Sequence, residues 1–233
     1  MKISRPAAFS AIGAACAALL LLASLHVLSP EFSPAWRMVS EYGNGNYEWV
    51  LSLMFLSWGL SSFALAYALR SQASTRLGKF GLVFLVIAGV GEVMGGLFDI
   101  NHDPGHSIGG ALGIIGLPIA AVSISVSLGR TELWSSARSA LLWTANFTWA
   151  SVVLLAVTFV VMIATFINAQ GGLPTQVPQA IPPGVVALVG WANRLLVVSY
   201  CVWVIAVAWH AIRLSGANLG RDYRNPAEQT QTL

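Results

Sequence analysis

Six long apolar runs dominate the sequence and restrict the folds that it can adopt. A helix rises about 1.5 Å per residue, so about 20 apolar residues are enough to cross the roughly 30 Å hydrocarbon core of a bilayer. The runs that reach this length are expected near residues 7–28, 49–69, 80–99, 107–128, 141–167 and 185–212. The sequence therefore predicts an all-α polytopic membrane protein, a bundle of six transmembrane helices.

The charge content agrees with a membrane protein. Only 9% of the residues are charged and 56% are hydrophobic, whereas a soluble domain has about 25% charged residues. The net charge of +3 comes from basic residues scattered at the ends of the runs, without the basic stripe that nucleic acid requires. We expect membrane lipids as partners and no nucleic acid. Both cysteines lie inside apolar runs, and their spacing indicates neither a disulfide framework nor a metal site.

The basic residues predict the orientation of the chain. Ten of the twelve Lys and Arg residues lie in the N-terminus, in 70–79, in 129–139 and in the C-terminal segment, which alternate helices place on one side. Cytoplasmic loops carry this excess, so both termini are expected in the cytoplasm, and the location is expected to be the plasma membrane, the inner membrane in a bacterium. The first run is longer than a signal-peptide core and is followed by no clear cleavage site, so it is interpreted as a retained helix. Residues 1–214 form the predicted transmembrane domain, and 215–233 a disordered cytoplasmic tail.

Polar side chains gather in the outer half of the predicted bundle. Inserting an ionisable group into a transmembrane span costs roughly 2.5–3.5 kcal/mol, so each one is expected to have a polar partner or a functional role. Glu92 and Asp99 are seven residues apart, which places them within about 20° on one face of a helix. His106 begins the next run, on a face shared with several glycines, and a short loop joins the two runs. The pattern predicts an antiparallel hairpin in which Asp99 and His106 face each other.

Arg194 enters the sixth run at a depth similar to that of Glu92. A guanidinium cannot lose its proton, so it needs acceptors within the bundle. We predict that Arg194 pairs with Glu92 or, reaching outward, with Asp99. Either contact would tie the sixth helix to the third. Whether such a pair is a structural lock or part of a ligand site is left open by the sequence.

The loop between the third and fourth runs offers a weak metal pattern. Asp99, His102 and His106 are ligand types that suit zinc or another divalent ion. Pro104 and Gly105 lie between the two histidines, however, and prevent one regular helix from carrying both. Asp103 followed by Pro104 is typical of a helix N-cap and first helical position. The sequence contains no phosphate-binding loop, nucleophile elbow or dinucleotide fingerprint, so it assigns no cofactor.

Three short motifs carry a family resemblance. They are Ser40-Glu41-Tyr42-Gly43 with Gly59, then Gly95-Gly96-Leu97-Phe98-Asp99 with His106, and finally Gly190, Arg194 and Trp203. Over nearly its whole length the chain resembles domain-of-unknown-function family 998, six-helix membrane proteins of bacteria and archaea. The resemblance implies the six-helix topology and little about activity. By matching positions it adds Ser40 and Glu41 to the candidate site and supports Asp99, His106 and Arg194.

Three functions remain open at this level. The favoured one is a binding protein whose outward-facing polar cavity holds a small ligand, an ion or a lipid headgroup, with Glu41, Glu92, Asp99, His106 and Arg194 as its binding residues. The second is a membrane-embedded hydrolase that acts on lipid, with Asp99 and His106 as catalytic metal ligands or as an acid–base pair. The third is a non-enzymatic assembly factor whose polar groups only lock helices together. The sequence assigns no oligomeric state.

Overall fold

The computed structural model describes residues 3–172, 178 and 180–222, with side chains as far as residue 216. The described residues form an all-α structure without strands, as predicted. Its six α-helices are α1 (Arg5–Leu28), α2 (Glu48–Leu69), α3 (Arg76–Leu97), α4 (Gly105–Gly129), α5 (Arg138–Gln170) and α6 (Val189–Asp222). Two short 3₁₀ helices, Val39–Asn44 and Glu132–Ala137, lie in the connections before α2 and α5.

The helices form a closed ring in chain order. Each one packs against the next along the chain, and α6 packs against α1 to complete the ring, with a smaller contact from α6 across to α2. All six are long and apolar enough to cross a membrane. Large apolar side chains such as Leu20, Trp143 and Val160 are exposed on the outside, where hydrocarbon would cover them. The chain is therefore a multi-pass membrane protein.

Local signals fix several helix ends. Thr75 caps α3, because its Oγ1 accepts a hydrogen bond from the backbone N–H of Gly78 at 3.0 Å. Gly171 ends α5 in the left-handed conformation, with φ of 77°, and its N–H donates to the carbonyl of Ile167 at 2.8 Å. A residue with a side chain rarely adopts this conformation, which explains why α5 stops at a glycine.

The hairpin of α3 and α4 differs from its prediction at the turn. α3 ends at Leu97, so Asp99 lies in the turn and not at the end of the helix. α4 begins at Gly105 with Pro104 as its N-cap residue and no side-chain cap. The predicted cap by Asp103 is wrong, because its Oδ1 accepts from the hydroxyl of Ser107 at 2.6 Å instead of from a backbone N–H.

The end of the chain also differs. α6 starts at Val189 and continues as a helix to Asp222, so residues 215–222 are not the disordered tail that was predicted. The rest of that tail, 223–233, lies outside the described residues. Between α5 and α6, residues 180–188 contain no helix, as expected for an irregular connection, and 173–177 and 179 lie outside the described residues.

Glycines let α3 and α4 approach each other closely, which confirms the predicted hairpin. A Cβ on Gly91 would lie 2.5 Å from the carbonyl oxygen of Gly109 and 2.5 Å from the backbone nitrogen of Gly113. One on Gly109 would lie 2.7 Å from the Cβ of Met94. Only glycine permits this spacing, which is the expected use of small residues between transmembrane helices.

A proline links α4 to α6. Pro118 is buried inside α4 and has no N–H, so the carbonyl of Ile114, four residues earlier, lacks its helical donor. The hydroxyl of Tyr200 on α6 donates to that carbonyl at 2.6 Å. In hydrocarbon an unpaired carbonyl is costly, so this bond both satisfies α4 and sets the position of α6 beside it.

Candidate functional site

A cavity of about 110 Å³ lies where α2, α3, α4 and α6 meet beneath the 3₁₀ helix Val39–Asn44, which we call the 3₁₀ segment. It is close to what we call the loop end of the bundle, the end that carries the connections 29–47, 98–104 and 171–188. Its polar lining residues are Ser40, Glu92, His106 and Asn193, its aromatic ones Phe55 and Trp58, and its glycines Gly91, Gly95, Gly109, Gly110 and Gly113. The structure thus brings Glu92, His106 and Ser40 of the predicted residues to one cavity.

Glu92 is an acid with an incomplete set of partners. Its side chain is buried, with 2% exposure. Oε2 accepts a hydrogen bond from the Ser62 hydroxyl on α2 at 2.7 Å, whereas Oε1 is buried and has no hydrogen-bond partner in the described part of the chain. A buried polar atom without a partner costs free energy, so Glu92 marks this cavity as a functional candidate.

Trp58 is the second lining residue with an unpaired polar atom. Its indole Nε1 is buried and finds no acceptor among the described residues. The ring is held by a stack on Phe55, with centroids 6.0 Å apart, and by an edge-to-face contact with Tyr200 at 5.8 Å. Two residues that line the cavity therefore each carry one buried polar atom, an acceptor and a donor, without a partner among the described residues.

Asn193 and His106 complete the polar lining. The Asn193 Oδ1 on α6 accepts from the backbone N–H of Val39 at 2.8 Å, which holds the 3₁₀ segment over the cavity. The His106 Nδ1 lies 3.0 Å from the carbonyl oxygen of Phe98. That contact orients the imidazole at the start of α4.

Arg194 does not pair with Glu92 or Asp99, so that prediction is wrong. The guanidinium is buried, with 4% exposure. It donates from Nε to His26 Nε2 at 2.8 Å, from Nη1 to the carbonyls of Arg37 at 2.7 Å and Gly190 at 3.0 Å, and from Nη2 to the Tyr42 hydroxyl at 2.9 Å. The ring order explains the difference, because α6 lies beside α1 whereas α3 lies between α2 and α4.

Glu41, which the resemblance added to the site, is part of the connection between α1 and α2. Its Oε2 lies 2.6 Å from Arg37 Nη1, and its Oε1 accepts from the backbone N–H of Met38 at 2.7 Å. Arg37 also donates from Nη2 to the carbonyl of Pro178 at 3.1 Å. Both oxygens of Glu41 are therefore occupied in holding this connection in shape.

Asp99 and His106 line different cavities, and the contact predicted between them is not formed. Asp99 faces a second cavity of about 530 Å³, together with Glu48 and Trp49. Its Oδ1 accepts from the backbone N–H of Asn101 at 2.7 Å and lies 3.0 Å from His102 Nδ1. The bond from Asn101, supported by His102, holds the pKa of Asp99 below its usual value.

The weak metal pattern is not assembled either. Among the described residues no group of three or more His, Cys, Asp and Glu side chains is placed to hold a metal ion. His102 is 67% exposed beside Asp99, whereas His106 points its Nδ1 at the Phe98 carbonyl. The break at Pro104 and Gly105 separates the two histidines, as its position in the sequence indicated.

Sequence reasoning missed Ser62, His26 and Tyr42 as hydrogen-bond partners, and it missed Trp58 as a lining residue of the cavity. Ser61-Ser62 is a polar pair inside the apolar run of α2 and was a usable signal for Ser62. A tryptophan in an apolar run is ordinary, so nothing in the pattern distinguishes Trp58 from the other eight tryptophans in the chain.

Comparison with known proteins agrees with the six-helix architecture. A family model described as "Protein of unknown function (DUF998)" matches residues 11–210. The chain belongs to this family, in accord with the resemblance of its three motifs. No curated protein and no solved structure matches the chain.

Proposed function

We propose that this member of the DUF998 family is a membrane protein that binds a small ligand in the cavity between α2, α3, α4 and α6. The observation that carries the proposal is that two of the lining residues each have a buried polar atom without a partner among the described residues, Glu92 Oε1 and Trp58 Nε1. Leaving such an atom unsatisfied costs about 1–3 kcal/mol. A molecule that enters the cavity and bonds to both atoms recovers that free energy.

The size of the cavity supports a ligand larger than water. A volume of about 110 Å³ exceeds the roughly 30 Å³ that one water molecule occupies in the liquid. Phe55, Trp58 and the glycine wall provide apolar surface for the body of a ligand. Glu92, His106 and Asn193 supply the few polar groups that fix orientation in a small-molecule site.

The binding hypothesis has more support than the hydrolase hypothesis. The two proposed catalytic residues, Asp99 and His106, line separate cavities. Arg194 and Glu41 are engaged in holding the connection between α1 and α2, so we assign them to the architecture around the site. In this proposal Glu92 and Trp58 bind the ligand, and His106 and Asn193 shape its cavity.

We further propose that the cavity lies toward the outer face of the membrane. Among the described residues, the connections of the loop end carry Arg37 as their basic side chain, and it is paired with Glu41. The opposite end carries Arg70, Arg76 and Arg130. The excess of basic residues favours the cytoplasm for that opposite end, in a plasma membrane.

The proposal is tested by filling the cavity without disturbing the helices. A Cβ at Gly110 would meet nothing within 4 Å, and one at Gly113 would make only ordinary contacts of 3.8 Å or more. We expect protein purified in a mild detergent to retain or bind a small molecule by native mass spectrometry, and Gly110→Ala/Gly113→Ala to lose it, because two methyl groups occupy its space.

The matched control is Gly13→Ala/Gly216→Ala. These helical glycines also have nothing within 4 Å of an added Cβ, and neither lines the cavity. The control should behave as the wild type. Equal ligand occupancy in the cavity-filling variant and the control would contradict the proposal, as would a wild-type protein that neither retains a ligand nor binds any member of a small-molecule library.

A further inference from the structure

The chemistry of the cavity wall restricts the class of ligand, and this inference rests on the proposed function. We propose that the ligand is a small protonated amine that also carries an oxygen acceptor, as a short amino alcohol does. Its ammonium group donates to Glu92 Oε1, and its oxygen accepts from Trp58 Nε1.

The charge on the ligand follows from the lining residues. Among the described residues, Glu92 is the acid that lines this cavity, and no lysine or arginine lines it. The guanidinium of Arg194 is bound elsewhere by His26, Tyr42 and two carbonyls. His106 is the other titratable group on the wall, and it forms no ion pair with Glu92 among the described residues. A buried carboxyl group is stabilised in its charged form only beside a counter-charge, and a cationic ligand supplies that charge.

Ser62 determines which oxygen of Glu92 is left for a ligand. Its hydroxyl donates to Oε2, so Oε1 is the oxygen without a partner among the described residues. The wall does not favour an anionic ligand, because none of the described lining residues is a lysine or an arginine.

The oxygen on the ligand follows from Trp58. An indole N–H is a donor only, so a plain alkylammonium ion would leave it unsatisfied. The cavity also limits the size of the ligand. A cavity of ~150 Å³ holds benzene, and the cavity here is smaller, at about 110 Å³. About six non-hydrogen atoms or fewer therefore fit, and ethanolamine is a suitable probe.

The first experiment needs no variant. Binding of ethanolamine, propylamine, ethylene glycol and glycolate to the full-length protein in nanodiscs is measured by calorimetry at neutral pH. We expect ethanolamine to bind most tightly, propylamine less tightly and ethylene glycol more weakly still, and we expect glycolate not to bind. Hexylamine should bind more weakly than propylamine, because its chain exceeds the cavity.

Two variants assign the contacts. Glu92→Gln keeps the shape of the side chain. It should weaken the binding of both amines by about tenfold or more, because a charge-assisted hydrogen bond is lost. Trp58→Phe should weaken the binding of ethanolamine about fivefold and leave the affinity for propylamine unchanged, because it removes only the hydrogen bond to the oxygen of the ligand. Thermal unfolding without ligand checks that both variants are folded.

The outcomes separate this inference from the proposed function. If ethylene glycol binds as tightly as ethanolamine, or if Glu92→Gln binds both amines unchanged, the ligand class is wrong. If a neutral ligand binds to the wild type and not to Gly110→Ala/Gly113→Ala, the ligand class is wrong and the proposed function still holds. Nanodiscs with and without phosphatidylethanolamine identify the source of the ligand, since a lipid headgroup that fills the cavity would compete with free ethanolamine.

Discussion

Arg194 is stabilised inside the bundle by neutral acceptors. His26 must accept at Nε2, so its proton is on Nδ1, which lies 2.7 Å from the Leu22 carbonyl and donates to it. The other acceptors are two carbonyl oxygens and the hydroxyl of Tyr42. Four hydrogen bonds from one guanidinium join α1, α6 and the connection between α1 and α2. A planar fork of five N–H donors suits this task, and a lysine ammonium does not.

Replacing Arg194 should therefore destabilise the protein. We expect Arg194→Gln to lower the free energy of unfolding by at least about 3 kcal/mol, because several buried acceptors lose a charged donor. Arg194→Lys should recover only part of the loss. Thermal unfolding in detergent measures both variants, with Arg213→Lys, at an exposed position of the same helix, as the control.

The same residue distinguishes the observed network from an ion pair with Glu92. Because the two side chains share no bond, Glu92→Gln and Arg194→Gln should be additive in a double-mutant cycle. A coupling of more than about 1 kcal/mol between them would contradict the network described here.

At this scale the sequence predicted which residues needed partners and not which partners they have. Glu92 and Arg194 are conspicuous because ionisable groups in apolar runs are costly. Their partners depend on which helices are neighbours in the ring, and two of the acceptors of Arg194 are backbone carbonyls, which no side-chain pattern reveals. The unpaired atoms of Glu92 and Trp58 are visible only when the surrounding contacts are known.

At the scale of the helices, the contact of α3 with α4 depends on particular glycines. We expect Gly91→Ala to lower the free energy of unfolding by about 1–3 kcal/mol, the usual cost of overpacking, because its Cβ would meet backbone atoms of α4. Gly110→Ala on the partner helix should be neutral or stabilising, since its Cβ meets nothing within 4 Å and alanine favours a helix.

Thermal unfolding of the two variants side by side is the measurement, with Gly13→Ala as a third helical glycine that has open space. An equal melting temperature for Gly91→Ala and Gly110→Ala would show that the close approach does not limit stability. The glycine spacing was readable in the sequence, as were the six helices. The turn between α3 and α4 was not, because its geometry depends on bonds made by Asp99 and Asp103 rather than on hydropathy.

At the scale of the whole molecule, the proposal that both termini are cytoplasmic makes a direct prediction. Reporter fusions at the C-terminus and within the connection 171–188 should report opposite sides of the membrane. The physical reason is the excess of Lys and Arg at the chain ends and in the segments 70–79 and 129–139. A reporter at the C-terminus that is active outside the cytoplasm would overturn the orientation and the outward position of the cavity.

The architecture was predictable because length and hydropathy alone define a transmembrane helix. The order of the ring was only partly predictable. Short connections make consecutive helices neighbours, but the contact between α1 and α6 joins the two ends of the chain, and no local signal encodes it. The hydrogen bonds of Arg194 depend on that contact, and so does the bond by which Asn193 holds the 3₁₀ helix Val39–Asn44 over the cavity.

The closed ring has a consequence for synthesis. Helices leave the ribosome in chain order, so α2 to α5 each find a partner already in the bilayer, whereas α1 must wait for the last helix to cover its second side. His26 on α1 and the backbone of Arg37 meet Arg194 only at that moment. Insertion of α6 therefore fixes the 3₁₀ helix Val39–Asn44 above the cavity. A chain that stops before α6 lacks the bonds that hold this 3₁₀ helix in place, and it lacks the side of the cavity that α6 forms.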